Sequence, residues 1–289
     1  MSSIVDDIRQ GWLPRYGAIA QIIILNVGVF LTLAVVWVVL FAFQAAGAFD
    51  AALRYLALPS ALLEVATRPW SLITHAFLHY PKDILHILFN MLWLFWIGVI
   101  YRVHIGDRHI WPTFALGVAA GVVFYLAAMN LLPAFAEYRF YLNGASAGVN
   151  AIIVAAATLT PNYTIPLLLL GPVRLKWIAL VLVVLDFISI PNGNAGGMFA
   201  HLGGALMGFL YVQNLKEGRD FSQPFVRLGR LFQRRDRSAR VLHVAHVQPR
   251  AAADAPTQAE IDRILDKIKQ VGYEKLTKEE KQTLFKASQ

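Results

Sequence analysis

Apolar residues in this chain come in long runs separated by short polar stretches, and neither the alternation of a half-buried strand nor the stripe of an amphipathic helix accounts for them. The clearest run, Ala18 to Phe43, holds 26 residues broken only by Gln21, Asn26, Gly28 and Thr32. A helix needs about 20 apolar residues to cross a bilayer, and this run is too long for a secretory signal peptide and lacks its small-residue cleavage site. Five further runs, at Asp83–Tyr101, Ile110–Leu132, Ala145–Thr160, Trp177–Ile190 and Met198–Val212, are expected to be helices too, because backbone polar groups in lipid must find partners within their own segment. The pattern predicts an all-α membrane protein. A short N-terminal segment (1–17) precedes a six-helix bundle over 18–215.

The fourth run is short. At ~1.5 Å per residue it covers about 22 Å against a hydrocarbon core of ~30 Å, so its Ser146 end is expected near or below the membrane boundary, unless the bilayer thins. Between the first two runs, Gly47 to Lys82 is half apolar but carries internal prolines, too broken to cross and too apolar to float free. It is expected to lie against the membrane interface with Trp70 and Tyr80 at headgroup depth. After the last run come a basic linker (216–256) and a segment, 257–289, that reads as a small helical hairpin. Thr257 with Glu260 and Thr277 with Glu280 each match a capping box, Ile261, Ile264, Leu265 and Ile268 recur at helical spacing, and Gly272 suits the first C-cap. A docking surface and a solubilising tail explain this hairpin equally well.

Composition agrees with the pattern, with 57% hydrophobic and 15% charged residues. The net charge of +8 comes mostly from the segment from Lys216 onward, where 16 Lys and Arg face 10 Asp and Glu. With the N-terminus inside, the cytoplasmic side receives Arg9, Arg15, Arg102, Arg108, Arg174, Lys176 and the tail, so the positive-inside rule predicts both termini in the cytoplasm. Anionic lipid headgroups account for the basic tail, and no nucleic-acid-binding motif accompanies it. The chain has no cysteine, which excludes disulfides, thiolate metal sites and a cysteine nucleophile.

Polar residues inside spans are costly and default to functional candidates. His86 and Asn90 share one face of the second span, Ser146 begins the fourth and His201 lies early in the sixth. The second, fourth and sixth spans all run inward from the outer side, so these four groups sit at similar depth and can converge. Gly204 and Gly208 form a small-xxx-small face on the sixth span, three residues beyond His201, and Gly144, Ala145, Ala147 and Gly148 give the fourth a matching surface. A serine beside a histidine is the minimum machinery for acyl transfer, with oxyanion donors supplied by the helix N-terminus at Ser146 and by the Asn90 and His86 side chains. Asp186 is the only acidic residue deep among the later spans and lies toward the end of the fifth, so a dyad without a third acid is the more economical expectation. His75, His79, His104 and His109 are expected in loops or at the interface, without a role. Each piece has a plainer reading: a packed serine, a structural histidine, an asparagine joining helices, glycines that serve only helix contact. Their joint occurrence at one depth is what those readings do not predict.

The segments "HILFN" (His86, Asn90), "GAS" (Gly144, Ala145, Ser146) and "AHLGGALMG" (Ala200, His201, Gly204, Gly208) resemble, in order and in helix placement, the rhomboid family of intramembrane serine proteases, bacterial type, over about Trp70 to Tyr211. The resemblance implies a six-helix core around a water-accessible cavity, Ser146 as nucleophile, His201 as general base, and His86 and Asn90 assisting the oxyanion hole. It implies transmembrane protein substrates, no cofactor, no metal and a place in the bacterial inner membrane. Two positions depart from the family. Ala147 follows the serine where Gly is usual and is expected to reduce room at the oxyanion site; Ser71 follows Trp70 where many bacterial members have Arg. Rival readings are a non-catalytic rhomboid-like protein that binds or escorts membrane clients, and a transporter or channel with an intramembrane ion path.

Overall fold

The structure, a computed structural model, describes residues 12–135, 137–167, 171–232, 258–271 and 275–287. The expectations for residues 1–11, for Thr257 and Gly272, and for most of the linker (233–257) lie outside the described residues. The chain divides into two compact units, Met1–Phe232 and Gln233–Gln289.

The first unit is helical. The runs of the sequence appear as α1 (Leu13–Ala42), α5 (Ile84–Ile105), α6 (Ile110–Leu131), α7 (Ser146–Leu159), α8 (Leu175–Ile188) and α9 (Ala195–Lys216). Among the described residues four of these, α1, α5, α6 and α9, are long and apolar enough to cross a membrane. α7 and α8 have 14 residues each. The short α7 is enclosed, with α5, α6, α8 and α9 packed around it. Its alanines and Gly148 are largely buried, so its neighbours approach to backbone distance and its length need not match the bilayer.

Small residues set that approach. A Cβ on Gly204 would meet the backbone carbonyl of Ala147, and one on Gly208 that of Ala151. From the other side, Gly121 of α6 leaves room for the Ala147 methyl, since a Cβ there would lie 2.7 Å from it. The methyl thus packs against α6, and Ala147 is absent from the lining of the cavity described below. The expected loss of room at the oxyanion site is corrected accordingly: one residue along a helix turns the side chain ~100° away from the direction of Ser146.

α1 is tied to the bundle at its start. Gly17, at φ +55°, breaks the helix, and the Ala18 N–H donates to Asp107 Oδ1 at 3.0 Å, while Arg102 donates to the same carboxylate at 2.6 Å. Gln21 Oε1 accepts from Trp111 Nε1 at 2.8 Å, so this polar break in the first run joins α1 to α6.

The segment between α1 and α5 is folded. It holds α2 (Ala46–Leu56), β1 (Leu58–Pro59), α3 (Leu62–Thr67), α4 (Ser71–Thr74) and a 3-10 turn at His75–Phe77. β1 pairs antiparallel with β2 (Tyr141–Leu142), Leu58 opposite Leu142, which holds the chain just ahead of α7. Trp70 is half-buried and donates to the Tyr55 carbonyl at 3.0 Å. Ser71 is buried with its hydroxyl on the Arg68 carbonyl at 2.7 Å. Between α7 and α8 lies a ribbon of β3 (Thr164–Leu167) and β4 (Gly171–Arg174). α10 (Gln223–Phe232) follows α9 within the stretch read as linker.

The second unit shows α11 (Gln258–Val271) and α12 (Lys278–Ala287). Buried Ile264 and Leu276, and Lys267 Nζ at 2.7 Å from Glu280 Oε1, hold the pair together. The capping box at Thr277 forms as its spacing predicts: the Thr277 N–H donates to Glu280 Oε2 at 2.8 Å, and the Glu280 N–H to Thr277 Oγ1 at 3.3 Å.

Candidate active site

Three helix starts face one cavity of about 510 Å³, whose lining includes Ser146, His201, His86, Asn90, Asn143 and Asn194. All four polar residues singled out by depth in the sequence therefore border the same space. Ser146 and His201 share it without a hydrogen bond between them; in free enzymes such contacts commonly tighten only when substrate binds.

Ser146 is the first residue of α7, and the turn before it is fixed from two sides. Gly144 stands at φ +120°, a backbone conformation that favours glycine, and a Cβ there would lie 3.0 Å from the His86 ring. Its N–H donates to the His75 carbonyl at 2.8 Å, so the loop ahead of α5 sets the entry into α7. The first-turn N–H groups of a helix have no partner one turn back, and at α7 they open beside Ser146, where negative charge is stabilised.

His86 and Asn90 stand on consecutive turns of α5. Asp83 caps that helix, accepting from the His86 N–H at 3.2 Å, and its carboxylate lies 3.8 Å from His86 Nδ1. Asn90 is buried, and its Nδ2 donates to His79 Nε2 at 3.4 Å. His79 in turn packs edge-on to His86, ring centroids 5.1 Å apart. Burial pushes the His79 imidazole down to about 3, with His86 adding in the same direction, and pushes His75 down to about 4. Both rings are neutral at ordinary pH, and both belong to the layer behind the site, which corrects their reading as residues without a role. His75 Nδ1 bonds the Ser71 carbonyl at 2.8 Å while its own carbonyl holds Gly144. Only the short spacing from His75 to His86 hinted at this.

His201 comes from α9, whose first turn is capped by Asn194 Oδ1 on the Gly197 N–H at 3.2 Å. Its Nδ1 lies 2.8 Å from Asp186 Oδ1, on α8. Asp186 Oδ2 accepts from Asn150 Nδ2 at 3.2 Å, and Asn150 stands one turn beyond Ser146 on α7. The expectation that no acid accompanies the histidine is thus corrected. α8 and α9 are joined by a tight turn, so the end of one and the start of the other share a depth, and Asp186 was within reach of the depth argument that gathered the other groups. His109, by contrast, is buried elsewhere against the Tyr211 hydroxyl at 2.8 Å, and His104 is exposed.

The arrangement offers a hydroxyl at a helix N-terminus, a histidine with a fixed carboxylate partner, and two further polar side chains across the cavity. Residues 66–216 match the rhomboid domain, and residues 254–289 match a family of unknown function (DUF6576). The chain is 31% identical over 160 residues, 52% of its own length, to the RHOMBOID-like protein 12, mitochondrial, of Arabidopsis thaliana, and spans about half (47%) of that relative. That relative carries a mitochondrial name, so kinship alone does not assign this chain to a bacterial membrane. The rhomboid match takes in every helix that lines the cavity and more than half of the chain, and the protein, an integral multi-pass membrane protein, belongs to the rhomboid family.

Proposed function

We propose that the protein is an intramembrane serine endopeptidase that cleaves membrane-anchored proteins in or near their transmembrane segments. The observation that carries this reading is the single cavity bordered by Ser146, His201, His86 and Asn90. Ser146 Oγ attacks the scissile carbonyl as His201 takes its proton. The oxyanion is met by the α7 N-terminus together with Asn90 and His86, the leaving amine receives the proton from His201, and water then releases the acyl group by the reverse sequence. In this reading all six helices cross, both termini lie in the cytoplasm of a bacterial cell and the cavity opens on the opposite side. The enclosure of α7 by its neighbours supports a crossing helix of only 14 residues.

The test is labelling of the purified, folded protein by a serine-directed fluorophosphonate. Labelling that disappears in Ser146→Ala and falls sharply in His201→Ala supports an enzyme. A folded wild type that does not label favours instead a rhomboid-like protein that binds clients without cutting them.

A further inference from the structure

A carboxylate on a membrane-embedded helix is expensive unless it is paired, and Asp186 stands where it is doubly disfavoured. It lies in the last turn of α8, which ends at Ile188, where the helix dipole is negative. Both its oxygens are nevertheless engaged, and they engage the two helices that carry the proposed chemistry. Oδ1 meets His201 Nδ1 on α9 at 2.8 Å, and Oδ2 accepts from Asn150 Nδ2 on α7 at 3.2 Å. The Asp186 and His201 side chains are each only 16% exposed, so little water competes for the contact.

We propose that Asp186 is a positioning residue for His201, held in turn by Asn150, so that the site works as a serine, histidine and aspartate relay in geometry. This deepens the reading of Ser146 as nucleophile and His201 as base, and rests on it. An ionised carboxylate accepts only, so the ring proton of neutral His201 is held on Nδ1 and Nε2 is left as the acceptor for the Ser146 proton. When that proton arrives, the imidazolium keeps its bond to Asp186, which stabilises the charge without taking the proton itself. Asn150 contributes specificity of a second kind. It donates to Oδ2 and can therefore orient an amide at position 186. In Asp186→Asn the amide oxygen turns to Asn150 and its NH2 faces His201 Nδ1, which selects the tautomer with the proton on Nε2, and that ring cannot accept from serine.

The test uses the full chain in proteoliposomes with a single-span substrate, comparing wild type, Asp186→Asn, Asp186→Glu and Ser146→Ala. Asp186→Asn is expected to lower kcat on the order of 10²-fold or more with KM little changed, and Asp186→Glu to recover part of that loss. The wild type is also expected to show a strongly downfield imidazole N–H proton resonance that is absent in His201→Ala. This signature is read on the wild-type fold and stays decisive if Asp186→Asn misfolds. A folded Asp186→Asn with kcat within about twofold of wild type, or a wild type lacking the resonance, overturns the proposal. If Ser146→Ala still cleaves, the underlying reading fails. If Ser146→Ala is inactive while Asp186→Asn retains its kcat, the role of Asp186 alone falls.

Discussion

Adding one methyl at Gly204 should disable the site without touching any polar group. An ideal Cβ at that position would sit 2.8 Å from the carbonyl carbon of Ala147 and 3.0 Å from its Cα, against an ordinary separation of about 3.5–4.0 Å. The obstacle is the backbone of α7 next to Ser146, which no rotamer change can move aside. α9 must therefore retreat from α7 by about 1 Å to restore contact, and His201 rides on α9 three residues before Gly204. Overpacking of this kind costs about 1–3 kcal/mol, and a displacement of ~1 Å between reacting groups costs about 10²-fold in rate. Gly204→Ala should accordingly react with a fluorophosphonate about a hundredfold more slowly than wild type and melt at lower temperature. Gly28→Ala, where a Cβ meets nothing within 4 Å, should match wild type in both. Wild-type labelling and melting in Gly204→Ala would refute the claim that backbone contact between α7 and α9 sets the site.

Gly144→Ala should be still more damaging to activity, because its Cβ meets the His86 ring at 3.0 Å and its φ of +120° strains any side chain; labelling retained at the wild-type rate would count against the turn as a determinant. His75 and His79, which lie outside the membrane-spanning helices, hold imidazoles buried with values near 4 and 3, so between those values and about 6.5 the unfolded chain binds protons that the folded one does not. Their contribution to stability is complete above about pH 6.5 and falls as pH drops, by about 1.4 kcal/mol per group per pH unit. The unfolding midpoint in detergent should decline from pH 7 to 5.5, less steeply in His79→Gln, and a flat profile would contradict the burial argument. Thr277→Ala removes a helix cap and should cost about 1 kcal/mol, read as faster amide exchange across the first turn of α12 with the membrane unit unaffected.

Hydropathy located the helices well because lipid solvation leaves the chain few alternatives. The run Ile110–Leu132 appears as Ile110–Leu131, and Ala145–Thr160 as Ser146–Leu159. The membrane domain's polar residues were legible for the same reason, since topology converts position along a helix into depth. Three kinds of feature escaped. The loop ahead of α5 is held by a two-residue strand pair and by side chains bonded to backbone, as at His75 and Trp70, and neither leaves a periodic trace. The partnership of Asp186 with His201 depends on the rotation of α8 about its axis, which an apolar helix with little amphipathic contrast does not encode. Gly117 and Gly121 look like ordinary span glycines until Ala147 and Ala151 of α7 are seen against them.

The most direct test of the central claim is cleavage of a single-span substrate in proteoliposomes by wild type, Ser146→Ala and His201→Ala, with helix content and melting measured alongside. Cleavage by the wild type that vanishes in both folded variants is the predicted result. Cleavage that persists in Ser146→Ala would contradict it.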